Sequence, residues 1–451
     1  MNTSELLAKY DIPAPRYTSY PTVPYWSADP TPDQWTAELQ KVFQNNPQTP
    51  WSMYIHIPFC ESLCTFCGCN TFITQNHANE ASYTDVLHKE WATYLAKIPQ
   101  LATAPIRQLH LGGGTPTFFS PDSLRRLLRP LMDQLTMENG RFEGSIEVGP
   151  RVTTREHLVA LRELGFQRLS MGVQDFNPEV QRLINRIQPF EMTRDLTLAA
   201  REVGFESVNY DLIFGLPAQT EESFTQTIDT TIALRPDRIA LYSFAFVPWV
   251  KKAHRLFTKN DLPKGAEKRA LYELSREKLI DAGYVELGLD HFSLPDDSLN
   301  TAFNEDRMHR NFMGYTDERT DVMLGLGVSS ISEAPTCFHQ NEKGINEYKQ
   351  RTLAGEIPTL RGHLLTDEDQ RQREQILQFM TQQRVTLRDT AQADDARAYL
   401  SELRDDGLVE IDGLEMRMTE RGRPFLRNAA IALDMRLRNN KPDTQVFSQA
   451  V

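Results

Sequence analysis

Between about residues 51 and 244 the apolar positions fall in short runs, each closed by glycine, proline or a polar turn. The runs at 51–57, 106–111, 145–148, 168–173, 208–214 and 238–244 are apolar or β-branched and read as strands. Between them the period changes. Segments 83–96, 121–134, 154–164, 178–185, 192–203 and 221–234 repeat apolar residues three and four apart, as amphipathic helices do. Strand-then-helix units in series predict an α/β fold with a parallel sheet and right-handed crossovers. Ligands of such sheets bind at the carboxyl ends of the strands. The loops after 57 and 111 therefore belong to the functional rim.

The flanks have other patterns. Residues 1–50, rich in Pro, Thr and Tyr, read as an extended arm followed by a short helix at 33–43. The sheet domain is expected over 51–250 and an irregular extension over 251–363, with a helix at 268–282. A separate unit, 364–451, reads as a helix at 394–406, a hairpin at 408–418 turning at Asp412 and Gly413, and a helix at 422–437. That order resembles a winged helix.

Charge narrows what this can do. The 451 residues carry a net charge of −12, which argues against nonspecific binding to nucleic acid or anionic membrane. Acidic side chains outnumber basic ones in the winged-helix-like unit too, so packing or a lid role is expected there rather than DNA reading. No apolar run reaches the roughly 18–20 residues of a membrane span. The N-terminus lacks a basic-then-apolar signal pattern, so a cytoplasmic protein is expected; a monomer is expected as well.

The chemistry concentrates at one place. Four of the five cysteines lie between Cys60 and Cys69. Cys60, Cys64 and Cys67 are spaced C-x3-C-x2-C, which offers three thiolates from one loop, one fewer than the irons of a cubic iron–sulfur cluster. Structural zinc would need a second ligand pair, and none is visible. A disulfide does not suit a chain with so few cysteines and no secretory pattern. Cys69 is expected off the cluster, near substrate or a second cofactor, or as a structural thiol. Cys337 stands apart and reads as inert. His56 alternates with apolar residues and reads as a packed core histidine, whereas His291 and His309 lie in irregular segments and are site candidates.

The segment YIHIPFC at 54–60, running on to Cys69 and Asn70, resembles the radical S-adenosylmethionine (SAM) enzymes. Within them the chain is similar to the oxygen-independent coproporphyrinogen III oxidases of haem synthesis. RYTSYP at 16–21, GGGTP at 112–116, SMGVQDF at 170–176, NYDLIFGLP at 209–217, DHF at 290–292, HRNF at 309–312 and GLGVS at 325–329 also carry the likeness. The resemblance implies a partial (β/α)6 barrel with a small, mostly helical C-terminal domain over its mouth. It implies a [4Fe-4S] cluster on Cys60, Cys64 and Cys67 whose open iron takes SAM. The resulting 5′-deoxyadenosyl radical would oxidise two propionates of coproporphyrinogen III to vinyls, giving protoporphyrinogen IX with loss of CO2. A low-potential donor of the flavodoxin or ferredoxin type would supply electrons.

Residue by residue, the resemblance assigns Glu147, Gly113, Ile331 and Tyr54 to the cluster-bound SAM. Phe66, Gly114, Thr115, Gln174, Arg186, Asp211 and Ala245 would hold a second SAM. Arg186, distant in sequence from the cysteines, is expected to sit away from their loop. Cys69, Tyr54, Arg16 and Arg310 are the catalytic candidates. The two arginines would meet substrate carboxylates, with Arg307 as a further candidate and Lys251 and Lys252 as weaker ones. Two positions depart from the family pattern: Gly149, where Asp is usual, and Phe246, where His is common. They leave open a paralogue acting on haem, either a ring-opening methyltransferase or a haem chaperone; Gly68 and Cys69 count against the chaperone. A redox-sensing DNA-binding regulator is the reading from another class, disfavoured by the acidic charge.

Overall fold

Strand formation in the central sheet follows from alternation. Leu109 and Leu111, Ile146 and Val148, Leu169 and Met171, and Val208, Tyr210 and Leu212 point outward and are buried beneath helices. The intervening Gln108, His110, Ser145, Glu147, Ser170, Asn209 and Asp211 line an interior cavity of about 120 Å³. In this computed structural model, which describes residues 3–249, 251–258, 260–442 and 446–449, the strands are β1 (Trp51–Ile57), β2 (Pro105–Gly113), β3 (Glu143–Val148), β4 (Phe166–Gln174), β5 (Ser207–Phe214), β6 (Arg238–Ser243) and β7 (Val322–Leu326). They lie in the order β6-β5-β4-β3-β2-β1-β7, every neighbour parallel.

The expected partial (β/α)6 barrel is therefore present, since successive strands advance one place at a time in one direction. Helices Ala78–Lys97, Pro121–Met132, Arg155–Glu163, Phe190–Glu202 and Glu221–Leu234 cover it. Sequence reading did not supply β7, which returns from far along the chain to pair with β1. Beyond it the sheet continues antiparallel through Ile331–Ala334, Cys337–Asn341 and Thr359–Leu364. On the opposite edge, β6 pairs antiparallel with His291–Ser293, so neither barrel edge is open. The boundary expected at residue 250 lies outside the described residues.

The N-terminal segment is not simply extended. It holds a helix at Thr3–Tyr10 as well as Pro32–Asn45, the latter capped reciprocally by Thr31 and Gln34. Leu6, Leu7, Tyr10, Tyr17 and Tyr20 enter one core with Phe379, Leu408, Met416 and Phe425 of the C-terminal unit. That unit has the winged-helix order: helix Asp367–Gln382, strand Arg384–Thr386, helix Thr390–Tyr399 continued by Ser401–Asp405, then hairpin Val409–Asp412 and Glu415–Met418. The continuous helix expected at 422–437 is broken into short turns. Arg427 and Asn428 turn inward to the backbone carbonyls of Ala14, Pro15 and Tyr10, and the Asp434 carboxylate accepts from Leu437 N–H and starts a new turn at Met435–Asn439.

Candidate active site at the barrel rim

The cysteine loop leaves the carboxyl end of β1 and is pinned along its length. The two-residue strand Phe59–Cys60 pairs with Phe72–Ile73. Thr65 N–H donates to Ile184 O (3.0 Å), and the Asn185 side-chain amide donates to Leu63 O (2.7 Å). This anchoring brings the segment after β4 against the loop. The Arg186 guanidinium lies 3.7 Å from Cys64 Sγ and also donates to Gly172 O (2.6 Å). The expectation that Arg186 stands away from the cysteines is thus corrected: chain separation of 122 residues is closed by the Thr65–Ile184 contact. Arg151, at the end of β3 and not singled out from sequence, donates to Cys64 Sγ (3.5 Å) and Ser62 Oγ (3.1 Å).

The thiols differ among themselves. A hydrogen bond from the Cys69 thiol, helped by Lys251 and Arg186, outweighs burial and brings Cys67 down to about 6. The same bond pushes the Cys69 thiol well above its ordinary range. Burial raises Cys60 to about 11, although its sulfur lies 3.4 Å from Thr115 Oγ1. Among the described residues no three His, Cys, Asp or Glu side chains converge as ligands of one metal ion. A cubic cluster does not need that convergence, because each thiolate takes its own iron. Two guanidiniums aimed at Cys64 suit a thiolate-bound cluster of net negative charge, so the donor set fits the group. Cys337 is fully buried, and burial raises it to about 12.

The glycine run at the end of β2 presses against β1. Gly113 has φ of 118°, and a β-carbon there would lie 2.8 Å from the His56 ring. A β-carbon at Gly114 would lie 2.6 Å from Pro58 O. The N–H groups of Gly114 and Thr115 donate to Ile57 O (2.8 Å) and Phe59 O (2.9 Å), and Gly113 N–H donates to Glu147 (3.2 Å). His56 is buried and, as expected, hydrogen-bonded. Its Nε2 faces Asn70 O (3.0 Å), a carbonyl that can only accept, so Nδ1 is free to accept from the Tyr54 hydroxyl (3.0 Å). Burial lowers the His56 pKa and keeps the ring neutral. Tyr54 stacks on His110, which lies 3.7 Å from Glu147.

Across the interior, a bulge at Val173 and a left-handed Gln174 (φ 69°) end β4. A β-carbon at Gly172 would meet both the Gln174 amide and the Arg186 guanidinium, so both side chains lie over that glycine. Asp211 accepts from Ser170 and Asn209, both at 2.9 Å. Burial, with the Glu147 charge adding to it, pushes Asp211 up to about 6. Phe66 offers its carbonyl to His254 (3.0 Å) in an apolar cluster with Phe244, Phe246 and Phe257. Phe246 stacks on His254, and Ala245 is half-buried beside it. Gly149 faces Thr115, whose methyl would be 3.3 Å from an added β-carbon. Ile331 begins the strand after the turn at 327–330.

The two arginines expected to meet substrate both lie near Asp290. Arg16 is 3.7 Å from that carboxylate, whereas Arg310 is buried over the Tyr315 ring at 4.4 Å. Burial disfavours the Asp290 charge, but the His291 hydrogen bond (2.7 Å) and the Arg310 and Arg16 charges outweigh it and hold the acid well below the usual carboxylate range. His309 sits elsewhere, among Arg319, Glu333 and Arg373. Arg307 pairs with Glu305. His110 and Arg151 escaped sequence reasoning. Their signal was available: His110 sits two positions before Gly112 on the inward register, and Arg151 is in a loop at a strand's carboxyl end.

The barrel and its cysteine loop match the radical SAM superfamily model over residues 54–231. The similarity then extends past the barrel. Oxygen-independent coproporphyrinogen III oxidases of Escherichia coli (strain K12) and Synechocystis are 39% and 36% identical, over 99% and 100% of this chain and 98% of each relative. The solved coproporphyrinogen III oxidase of Escherichia coli, described as a radical SAM enzyme, superposes with a TM-score of 0.88 at 38% identity, covering 93% of this chain and 97% of that one. The chain belongs to the oxygen-independent coproporphyrinogen III oxidase family. Its cofactors are accordingly a [4Fe-4S] cluster and SAM.

Proposed function

We propose that this chain oxidatively decarboxylates two propionate side chains of coproporphyrinogen III to vinyls, giving protoporphyrinogen IX. The observation that carries this reading is a three-thiol loop at the end of β1, faced by two guanidiniums, in a chain aligned end to end with oxidases of that name. When bound, cluster and SAM would supply radical abstraction of a propionate β-hydrogen, after which loss of CO2 and of one electron to an acceptor leaves the vinyl group.

The chain's own residues bind, orient and shield. Cys60, Cys64 and Cys67 hold three irons. Cys69 would stay off the cluster, since it lies outside the C-x3-C-x2-C set and its backbone N–H already donates to Cys67 Sγ (3.4 Å). Gly113 and Glu147 face the SAM held by the cluster. The neighbouring N–H groups are already bonded, so a ligand ammonium would be met by the Glu147 carboxylate, which keeps accepting capacity beyond its bond from Gly113 N–H. Tyr54 and Ile331 complete this wall. Gln174, Arg186 and Asp211, with Phe66, Gly114, Thr115 and Ala245, line the place of a second SAM. Arg16 and Arg310 together exceed the Asp290 charge by one, which favours a substrate carboxylate nearby. The C-terminal unit and the N-terminal segment, joined by one core, act as the cover of the barrel. A low-potential protein of flavodoxin or ferredoxin type reduces the cluster, and the enzyme works as a cytoplasmic monomer. Five free cysteines suit a reducing compartment, and no helix among the described residues is long and apolar enough to cross a membrane.

The test is anaerobic incubation of the reconstituted enzyme with SAM, reductant and coproporphyrinogen III deuterated at the propionate β-carbons. Deuterium should pass into 5′-deoxyadenosine as vinyl product and CO2 form. Haem-stimulated SAM cleavage with coproporphyrinogen returned unchanged would sink the reading.

A further inference from the structure

The substrate brings four carboxylates to a protein of net charge −12, so the cations that remain unpaired at the rim matter most. The arginines named from sequence are not fully available: Arg310 is buried, and both it and Arg16 lie near Asp290. A different set stands beside the end of the cysteine loop. Lys251 Nζ donates to Cys69 O (3.0 Å). The Asn70 side-chain amide donates to the backbone carbonyl of Lys343 (3.1 Å), which fixes the Lys343 backbone beside the end of the same loop. Arg361 reaches over from the antiparallel edge, where its Nε donates to Gln340 (2.8 Å). None of the three makes an ion pair among the described residues. They also feel one another: with burial leading, the Arg361 and Lys251 charges lower the Lys343 pKa. Cations on three segments that meet near the end of the cysteine loop repel one another when no acid answers them, and a bound anion relieves that repulsion.

We propose that Lys251, Lys343 and Arg361 form an anion site beside Cys69 that holds the substrate carboxylates not undergoing reaction. The inference rests on the porphyrinogen reading above and adds two residues, Lys343 and Arg361, that no family motif in the sequence had marked. The site orients the macrocycle. With its idle propionates held at one edge, the reacting propionate is turned toward the interior lined by Glu147 and Asp211. Carboxylate number then becomes a determinant of recognition.

The experiment is equilibrium binding to the reconstituted holoenzyme, followed by porphyrin fluorescence at several salt concentrations. The probes are coproporphyrin III, as a stable tetracarboxylate, and its tetramethyl ester. Wild type should bind the acid in a salt-sensitive way and the ester weakly. Lys343→Gln and Arg361→Gln should each weaken the acid about five- to tenfold, the range for charged hydrogen bonds at partly exposed positions, and flatten its salt dependence. Lys343→Arg should restore most of the affinity, which a folding defect would not allow. SAM affinity, measured by calorimetry, should not move. Unchanged coproporphyrin affinity in both Gln variants, with wild-type binding intact, would overturn the site while leaving the oxidase reading standing. Loss of SAM affinity instead would assign the cations to the SAM carboxylate and equally overturn the site. If wild type neither binds coproporphyrin nor consumes coproporphyrinogen, the oxidase reading fails and this inference fails with it.

Discussion

Replacing Glu90 by glutamine should remove a pH dependence of stability whose size follows from the structure. Glu90, on helix Ala78–Lys97, is fully buried behind the active-site wall. It accepts from Gly327 N–H (2.8 Å), the Asn341 side-chain amide (2.6 Å) and the Tyr348 hydroxyl (2.5 Å). Burial raises its pKa from 4.5 to about 7, the three donors offsetting part of the effect. An unfolded chain loses this proton near 4.5, so between 4.5 and about 7 the folded protein holds a proton that the unfolded chain lacks. Stability therefore falls as pH rises through that window and levels off above it. At about 1.4 kcal/mol per pH unit the total is about 3 kcal/mol. Glutamine does not titrate. The stability of Glu90→Gln relative to wild type should thus rise by about 3 kcal/mol across the window, on top of a constant penalty of about 1–3 kcal/mol for the amide N–H that meets a donor. For a chain of 451 residues this rise is about 3 °C in Tm. Calorimetric melts of both apo-proteins, thiols reduced, from about pH 5 to 8 would read it. A difference in Tm that does not vary with pH would refute the argument.

Two further outcomes follow from the cysteine loop. Cys60→Ser, Cys64→Ser and Cys67→Ser should each lose iron and sulfide in anaerobic counting, whereas Cys69→Ser should keep both yet lose turnover; equal loss in all four would make Cys69 a ligand. Arg186→Ala removes the donors facing Cys64 Sγ and Gly172 O, so it should weaken SAM binding by about 1.5–3 kcal/mol in calorimetry and alter the visible spectrum of the cluster, and a variant unchanged in both would show that the guanidinium is only structural.

Much of the barrel could be read from the chain because its strands alternate or run apolar between glycines. Residues 51–57 form a strand with the expected limits, and the other expected strands were met within about two residues at each end. What escaped depended on distant partners. Val322–Leu326 is a short apolar run like others, and only its pairing with β1 makes it part of the barrel. The helix Thr3–Tyr10 is set by Leu6, Leu7 and Tyr10 entering a core supplied by residues nearly 400 positions away, as the Tyr10–Asp406 hydrogen bond at a separation of 396 illustrates. In the site, the cysteine spacing marked the loop, but nothing local could reveal that Ile184 would anchor it and bring Arg186 to Cys64.

The same logic separates the cations. Sequence motifs mark where a charged residue stands, not which charge it already answers. Arg16 and Arg310 lie in motifs that carry the family likeness, yet Asp290 takes up much of their field, and burial fixes Arg310 over Tyr315. Lys343 and Arg361 lie in unremarkable stretches, and their availability follows only from tertiary placement: one strand edge brings Arg361 over, and Asn70 holds the Lys343 backbone beside the loop. Asn70 is in turn held by His56, the ring that also bars a side chain at Gly113. One neutral histidine thus links the SAM-side glycines, the end of the cysteine loop and the cation pair. A substitution there should disturb cofactor and substrate together, read as weaker SAM binding in calorimetry and weaker coproporphyrin binding by fluorescence in the same variant.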